Sequence, residues 1–172
     1  IKGKKTRFGK EHYFGKIVNY EDFSKHVPVR DYEGLKKYIK LITDGEKDVL
    51  WPGRPIYFAK TSGTTSGEKL IPITKDSMPY HVKGSVEATM HYINETSNTS
   101  FLNKKIIFLQ GSPTLGETKG IKTGRLSGIG AHYTPTLIRK NTMPSWETNC
   151  IEDCRKKVFE VSKETLKEDM AA

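Results

Sequence analysis

The sequence is poor in cysteine, with only Cys150 and Cys154 among its 172 residues. Two cysteines cannot build the disulfide framework of a small secreted domain, so we expect a reducing, cytoplasmic setting. Long apolar runs are also missing, because the longest, at residues 106–109, falls far short of the roughly 20 residues that a membrane-spanning helix needs. The basic residues near the start are not followed by an apolar stretch, which predicts no signal peptide and no membrane partner.

The apolar residues that are present suffice for one core. Hydrophobic residues make up 35% and charged residues 28% of the sequence, the composition of a folded domain. The net charge of +9 raises the alternative of a nucleic-acid-binding domain. The excess is spread along the chain, however, with 14 Lys and Arg against 8 Asp and Glu in residues 1–60, and 15 against 12 in residues 61–172. Because no basic stripe is interleaved with aromatic residues, nucleic acid is the weaker alternative.

Two helices are predicted in the first third of the chain. A short one spans residues 20–25, with Asn19 as its cap and Pro28 after its end. The second begins after Asp31, which can cap it, and Gly45 follows where a left-handed residue would end it. Its apolar residues recur three and four positions apart on one face. They are Tyr32, Leu35, Ile39 and Ile42.

Strands are predicted on either side of a polar segment. Residues 56–59 are an apolar run typical of a buried strand, and residues 70–73 form a second strand. Pro72 lacks an N–H for the sheet, which indicates that this second strand either lies at an edge or ends at Pro72.

The middle of the chain predicts a helix, a strand and a loop. The helix covers residues 76–93 and is capped by Thr74 or Asp76. Residues 105–110 are predicted to form a buried strand, and residues 116–130, which hold five glycines, a loop. The inward face of the helix is predicted to comprise Met78, Val82, Val86, Thr89 or Met90, and Ile93.

A last helix is predicted to open at residues 144–146 and to bury one apolar face. The residues of that face are Ile151, Cys154, Val158 and Val161. Cys150 and Cys154 then form a buried thiol pair rather than half of a metal site, because no second pair of Cys or His ligands occurs elsewhere. No metal site is predicted. Together, these elements predict an α/β fold of short strands with helices packed against them.

The most informative segment is the polar nonamer Thr61-Ser62-Gly63-Thr64-Thr65-Ser66-Gly67-Glu68-Lys69. Its glycines let a ligand approach the main chain, while its hydroxyls, N–H groups and lysine offer donors and positive charge to phosphate oxygens. The alternative is a flexible surface loop, but nine residues between two strands are short for a linker. The nonamer is not a Walker loop, because Glu68 separates the glycine from Lys69 and Leu70 stands where a magnesium-binding hydroxyl is required. The sequence therefore predicts a polyphosphate-binding loop of another kind.

The nonamer resembles the phosphate-binding signature of adenylate-forming enzymes, Ser/Thr-Ser/Thr-Gly-Ser/Thr-Ser/Thr-Gly-x-x-Lys. Ser66 before the second glycine, and Glu68 where proline is usual, depart from the commoner form and look like the GH3 acyl-acid amido synthetases. Further segments that look like bacterial members of that family run along nearly the whole chain. They are Phe8-Gly9-Lys10, Val27-Pro28-Val29-Arg30-Asp31-Tyr32-Glu33, Leu50-Trp51-Pro52-Gly53, Phe58-Ala59-Lys60-Thr61, Gly124-Arg125-Leu126-Ser127-Gly128-Ile129 and Pro144-Ser145-Trp146-Glu147-Thr148-Asn149.

This resemblance implies a two-step ligase reaction that uses ATP and Mg²⁺. A carboxylic acid attacks the α-phosphate of ATP to give an acyl-adenylate and pyrophosphate, and the amine of an amino acid then displaces AMP to leave an amide. The resemblance also implies that the loop binds the ATP phosphates. The residues expected to do so are Ser62, Gly63, Thr64, Thr65, Ser66, Gly67 and Lys69.

Substrate-binding residues follow from the resemblance only by region. In the family, the helix after the loop helps to line the acyl pocket. The candidates on that helix, against the alternative of a solvent-exposed face, are His81, Lys83 and Ser85. The glycine-rich segment supplies Arg125 and Ser127, against the alternative of an ordered surface loop. No residue of the sequence is singled out as catalytic.

The family's later motifs, which bind adenine and ribose and supply a mobile C-terminal domain, are not recognisable after Ile129. We therefore expect residues 1–172 to be the N-terminal portion of the large adenylate-forming domain, without the C-terminal domain and inactive alone. The alternatives are a non-catalytic folded fragment or interaction module, and the basic nucleic-acid-binding domain. Since residues 56–59 and 106–109 are apolar on both faces, we also expect the isolated chain to self-associate, or to be marginally stable with exposed hydrophobic surface.

Overall fold

The computed structural model describes residues 2–62 and 67–168. Its strands are β1 (Tyr57–Lys60), β2 (Leu70–Ile73), β3 (Ile106–Ile107), β4 (Gly116–Thr118), β5 (Ile121–Arg125) and β6 (Thr142–Met143). Four of them form a sheet in the order β2-β1-β5-β4, in which β1 and β5 run parallel and the outer pairs antiparallel. A second sheet pairs β3 with β6 in parallel.

Helices precede, connect and follow these strands, which confirms the predicted α/β class. They are α1 (Arg7–Glu11), α2 (Tyr20–His26), α3 (Tyr32–Thr43), α4 (Met78–Thr96), α5 (Leu126–Ala131), α6 (Thr136–Asn141), α7 (Trp146–Asn149) and α8 (Cys154–Thr165). In the described part of the chain, none of them is long and apolar enough to cross a lipid bilayer.

The predicted caps of the first helices are confirmed. The side chain of Asn19 accepts the N–H of Asp22 at 2.8 Å at the start of α2, and Asp31 accepts the N–H of Gly34 at 2.8 Å at the start of α3. Gly45 follows α3 with φ of +102°. Each cap satisfies an N–H group that the first helical turn leaves unpaired.

The core lies on both faces of β1. Phe58 and Ala59 are 0% and 5% exposed, and because successive strand residues point to opposite faces, they enter different clusters. This confirms that residues 56–59 contain a strand buried on both sides. Around Phe58 lie Tyr38, Ile42, Val49 and Ile121, and around Ala59 lie Ile73, Met78 and Ile129.

The prediction of a loop over residues 116–130 is wrong. This segment contains the hairpin of β4 and β5, followed directly by α5. The turn of the hairpin places Lys119 and Gly120 at φ of 50° and 80°, the combination that matches the twist of antiparallel strands. Ile121 and Thr123 are buried on one face of β5, so the strand carries a period of two that its glycines obscured.

The prediction of one continuous last helix is also wrong. The chain forms two helices instead, and a loop between them separates Ile151 from α8. Val158 is 60% exposed and Cys154 is exposed, whereas Cys150 is partly buried. Two of the four residues of the predicted apolar face are therefore exposed, Ile151 and Val161 are partly buried, and the two thiols are not a buried pair.

The remaining corrections concern α4 and β3. Asp76 does not cap α4, because its carboxylate accepts hydrogen bonds from Lys2 and from the indole of Trp51, both at 3.1 Å. Thr74 instead forms a reciprocal pair with Ser77: the N–H of each donates to the hydroxyl of the other, at 2.9 and 3.0 Å. Met78 is the one buried residue of the predicted inward face. β3 is limited to two residues, and Phe108 and Leu109, beyond its end, are 54% and 72% exposed.

Candidate functional site

The predicted phosphate loop connects β1 to β2, which pair as an antiparallel hairpin with Lys60 opposite Leu70. Two further hydrogen bonds close the base of the loop. The N–H of Thr61 donates to the carbonyl oxygen of Lys69 at 3.1 Å, and the N–H of Lys69 donates to the hydroxyl of Thr61 at 3.2 Å. The loop therefore begins and ends at fixed points, one residue beyond the last strand pair.

The structure describes only part of the loop itself. Ser62 and Gly67 are exposed, and Gly67 has φ of +78°, a left-handed conformation that side chains other than glycine rarely adopt. The predicted phosphate-binding residues Gly63, Thr64, Thr65 and Ser66 lie outside the described residues. The geometry of this site is therefore given by the residues at the two ends of the loop.

One ion pair and one cation–π contact involve the charged side chains at the base of the loop. The ammonium of Lys60 lies 3.0 Å from a carboxylate oxygen of Glu68 and neutralises it. The ammonium of Lys69 lies 5.2 Å from the centre of the Tyr32 ring. In the described part of the chain, no acidic side chain pairs with Lys69, so its charge is not neutralised by a carboxylate.

The parallel pairing of β5 with β1 brings a third cation to the same edge of the sheet. Arg125, the last residue of β5, is the register partner of Lys60, from which the loop departs. In open α/β sheets, ligands bind at the carboxyl ends of parallel strands. The structure therefore brings the predicted site residue Arg125 beside the base of the phosphate loop.

Ser127 lies in the first turn of α5, and its hydroxyl has a structural partner. The N–H of Gly111 donates to it at 3.0 Å, which ties the chain after β3 to α5. The side chain of Arg125 lies against the same glycine, because a Cβ atom added to Gly111 would lie 2.7 Å from the Cβ of Arg125. Ser127 thus helps to fix the position of Arg125, while its hydroxyl faces a backbone group.

The predicted substrate residues on α4 are all exposed. Lys83 forms an ion pair with Glu87 at 3.3 Å, and the hydroxyl of Ser85 lies 3.4 Å from the carbonyl oxygen of His81. In the described part of the chain, α4 is packed through Met78 and Val82 at its first turns, and its outer half is open. The described residues thus provide no wall opposite His81, Lys83 or Ser85.

Three residues at this edge were missed by the sequence analysis. Lys60 and Glu68 form the ion pair that frees Lys69, and Tyr32 holds the exit of the loop. We had assigned Tyr32 only to the apolar face of its helix. Its phenol was the available signal, because a partly buried tyrosine requires a partner for its hydroxyl.

The edge formed by Lys60, Lys69, Arg125 and the loop base is positively charged, with one acidic side chain, Glu68, among its described members. Such an edge attracts polyanions, and charged donors form stronger hydrogen bonds to phosphate than neutral ones do. No group of three or more His, Cys, Asp or Glu side chains in the described ranges is arranged to bind a metal. The charges described at this edge favour an anion over a cation.

Comparison with known proteins finds one family along nearly the whole chain. The sequence matches the GH3 family N-terminal domain over residues 2–165. The indole-3-acetic acid-amido synthetase GH3.15 of Arabidopsis thaliana is 40% identical over 70 residues, which are 40% of this chain and 12% of the relative. The putative indole-3-acetic acid-amido synthetase GH3.10 of Oryza sativa subsp. japonica is 43% identical over 58 residues, 33% of this chain and 12% of the relative.

Solved structures share the fold. The GH3.15 acyl acid amido synthetase superposes with a TM-score of 0.71 at 19% identity, covering 92% of this chain and 27% of that protein. The AtGH3.15 acyl acid amido synthetase in complex with 2,4-DB gives a TM-score of 0.67 at 22% identity, covering 88% and 26%. The chain thus matches about a quarter of those proteins.

The domain that carries this sheet edge and its positively charged loop base belongs to a known class. The chain is a member of the GH3 family, and it corresponds to that family's N-terminal domain.

Proposed function

We propose that this chain is the ATP-phosphate-binding part of an acyl-acid amido synthetase, which adenylates a carboxylic acid and joins it to an amino acid. The observation that supports this most is the juxtaposition of the Thr61–Lys69 loop base with Arg125 at the carboxyl edge of β1 and β5. The names of the relatives, all amido synthetases, support the same class of reaction.

In this proposal, the acid's carboxylate oxygen forms a bond to the α-phosphorus of ATP, and the bond to the bridging oxygen breaks to release pyrophosphate. The loop hydroxyls and N–H groups of residues 62–67 bind the β- and γ-phosphates, and Lys69 places its charge beside them. Donors that are already fixed where charge develops lower the barrier without having to reorganise. The amine of the amino acid then attacks the acyl carbonyl, and AMP leaves.

Mg²⁺ accompanies the triphosphate in this proposal, and we assign it no ligand from this chain. Arg125 is proposed to neutralise the departing phosphates, with Ser127 holding its segment. His81, Lys83 and Ser85 remain candidates for the acyl carboxylate. The free thiols of Cys150 and Cys154 support a reducing compartment such as the cytoplasm.

Binding tests the proposal directly. Replacing Thr64, Thr65 and Ser66 together by alanine should abolish binding of pyrophosphate and ATP, measured by calorimetry, while leaving the unfolding temperature unchanged. Lys69→Met should weaken ATP binding far more than adenosine binding, because only ATP carries the phosphates. Lys163→Met is the matched control, since that lysine lies on α8, outside the loop, and forms an exposed ion pair with Glu160 at 3.5 Å. Unaltered pyrophosphate affinity in the triple variant would refute the assignment.

The nucleic-acid alternative is not favoured, because the lysines of α3 are engaged in ion pairs. Lys36 lies 3.0 Å from Glu33 and Lys40 lies 2.7 Å from Asp44, so neither offers a free charge to a phosphate backbone. If the chain nevertheless binds DNA, the affinity should fall steeply with salt. The other alternative, a module that binds without turnover, predicts nucleotide binding without carboxylate-dependent release of pyrophosphate after the chain is joined to the rest of such an enzyme.

A further inference from the structure

We propose that Tyr32 is a positioning residue for the phosphate loop, which it serves through two contacts: its hydroxyl fixes the loop exit at Leu70, and its ring holds the ammonium of Lys69. This inference rests on the proposed function, because it assigns Tyr32 to the binding of the phosphates.

Tyr32 stands on a rigid platform. It is the first residue of α3, whose start is capped by Asp31 and whose inner face buries Ile39 and Ile42. Its ring is half-buried between the helix and β2. Because the helix is held at its cap and at its core face, the phenol has a fixed position relative to the sheet.

The hydroxyl of Tyr32 bonds to the edge of the sheet. β2 is an edge strand, so its outer backbone groups have no neighbouring strand. The N–H of Leu70 donates to the Tyr32 hydroxyl at 3.1 Å, and that hydroxyl lies 3.4 Å from the carbonyl oxygen of Leu70. A phenol, being both donor and acceptor, can satisfy both groups. The contact fixes the first residue after the loop.

The ring of Tyr32 meets the residue just before. The ammonium of Lys69 lies 5.2 Å from the ring centre, within the range of a cation–π contact. This contact leaves the positive charge of Lys69 in place, whereas an ion pair with Glu68 would neutralise it. Glu68 is instead held by Lys60. Tyr32 thus orients Lys69 without neutralising it.

Two variants separate the contacts. Tyr32→Phe keeps the ring and removes the hydroxyl, so pyrophosphate affinity should fall about threefold, the effect of one ordinary hydrogen bond. Tyr32→Leu removes both contacts and should lower it about tenfold. Neither change should alter adenosine affinity. Tyr20→Leu is the control, because that tyrosine is 81% exposed on α2.

A double-variant cycle tests whether Tyr32 acts through Lys69. In a Lys69→Met background, Tyr32→Leu should cost no more than Tyr32→Phe does in the native chain, since only the hydroxyl contact is then left to lose. NMR offers a second readout, as the ε-protons of Lys69 should be shifted upfield by the ring in the native chain and in Tyr32→Phe, but not in Tyr32→Leu.

The outcomes distinguish two failures. If the native chain binds pyrophosphate and both Tyr32 variants bind it equally well, the inference is wrong and the proposed function stands. If native chain and Lys69→Met bind pyrophosphate alike, the proposed function is wrong, and Tyr32 is then only a structural anchor of β2. Equal losses of pyrophosphate and adenosine affinity would likewise show a general structural role and overturn the inference.

Discussion

The carboxylate of Glu164, on α8, accepts both the N–H and the hydroxyl of Ser145, at 2.8 and 2.7 Å. Ser145 is the N-cap residue of α7, and the hydroxyl of Thr148 in that helix donates to the same carboxylate. Three donors thus converge on one charged group from a neighbouring helix. This cluster joins α7 and α8, the two helices that were predicted from the sequence as one.

We predict that Glu164→Ala lowers the free energy of unfolding by about 2 kcal/mol, because it leaves the Ser145 N–H and two hydroxyls without an acceptor. Glu160→Ala is the matched control on α8: Glu160 forms a surface ion pair with Lys163 at 3.5 Å, and its replacement should cost less than about 0.5 kcal/mol. Chemical denaturation measures both, and equal losses would contradict the prediction.

The same carboxylate makes stability depend on pH. Burial acts to raise the pKa of Glu164, but the donors from Thr148 and Ser145 outweigh it, so the pKa lies below its ordinary value of 4.5. A lowered pKa in the folded state means that this stabilisation is present above 4.5 and is lost as the pH falls through the folded-state pKa. Glu164→Gln should therefore show a shallower acid limb in the pH profile of the unfolding temperature.

The hydroxyl of Tyr133 donates to that of Tyr57 at 3.2 Å. Burial, together with this bond, raises the pKa of Tyr133 to about 12 from an ordinary value of 10.0. The associated stability is complete below pH 10 and is lost as the pH rises towards 12. We predict that Tyr57→Phe lowers the pKa of Tyr133, measured by NMR titration of labelled tyrosine. An unchanged titration curve would show that burial alone sets it.

Two glycines of α5 form a matched pair for mutation. A Cβ on Gly128 would lie 2.2 Å from the carbonyl oxygen of Ser112, whereas a Cβ on Gly130 meets no atom within 4 Å. Gly128→Ala should lower the free energy of unfolding by about 3 kcal/mol, because a backbone group has to move. Gly130→Ala should stabilise the helix by up to about 1 kcal/mol. Similar effects at both positions would contradict the close approach.

Exposed apolar side chains predict that the isolated chain self-associates. Phe159 and Leu109 are 65% and 72% exposed, and Leu166, after α8, is 88% exposed. Large apolar side chains left in contact with water favour association with a partner that covers them. Light scattering should show species larger than the monomer, and Phe159→Ser should reduce their fraction. A monodisperse native chain that unfolds cooperatively and binds no hydrophobic dye would contradict this prediction.

Local signals allowed correct prediction of the elements near the loop. Asn19 and Asp31 cap helices through contacts within a few residues, and Pro72 indicates an edge strand because it lacks an N–H. These features depend on the chain's immediate neighbours, so tertiary structure does not overrule them. The position of the loop between two strands was also predictable, because the apolar runs on either side of it are local features of the sequence.

Elements defined by long-range packing could not be predicted. Gly124 lies within β5, where a Cβ would approach the end of the Leu115 side chain to 2.5 Å, a proximity that exists only after folding. Val158 and Cys154 have helical spacing, but the described chain places no apolar surface against them. Periodicity shows that a face exists, and only the fold shows whether something covers it.

The candidate site followed the same division. The nonamer itself marked Lys69, whereas Tyr32 entered through a contact across 38 residues. Arg125 was a candidate from its segment alone, and its place beside Lys60 required the parallel pairing of two distant strands.

The parallel pairing of β1 with β5 also has a consequence for the order of folding. The hairpin of β1 and β2 closes over nine residues, but bringing Arg125 to Lys60 closes about 65 residues of chain, at a greater cost in loop-closure entropy. Contacts between residues that are far apart in the sequence form late. The base of the phosphate loop should therefore assemble early during folding, and its arginine should arrive only when the sheet is complete. Nucleotide binding would then report the last step of folding rather than the first.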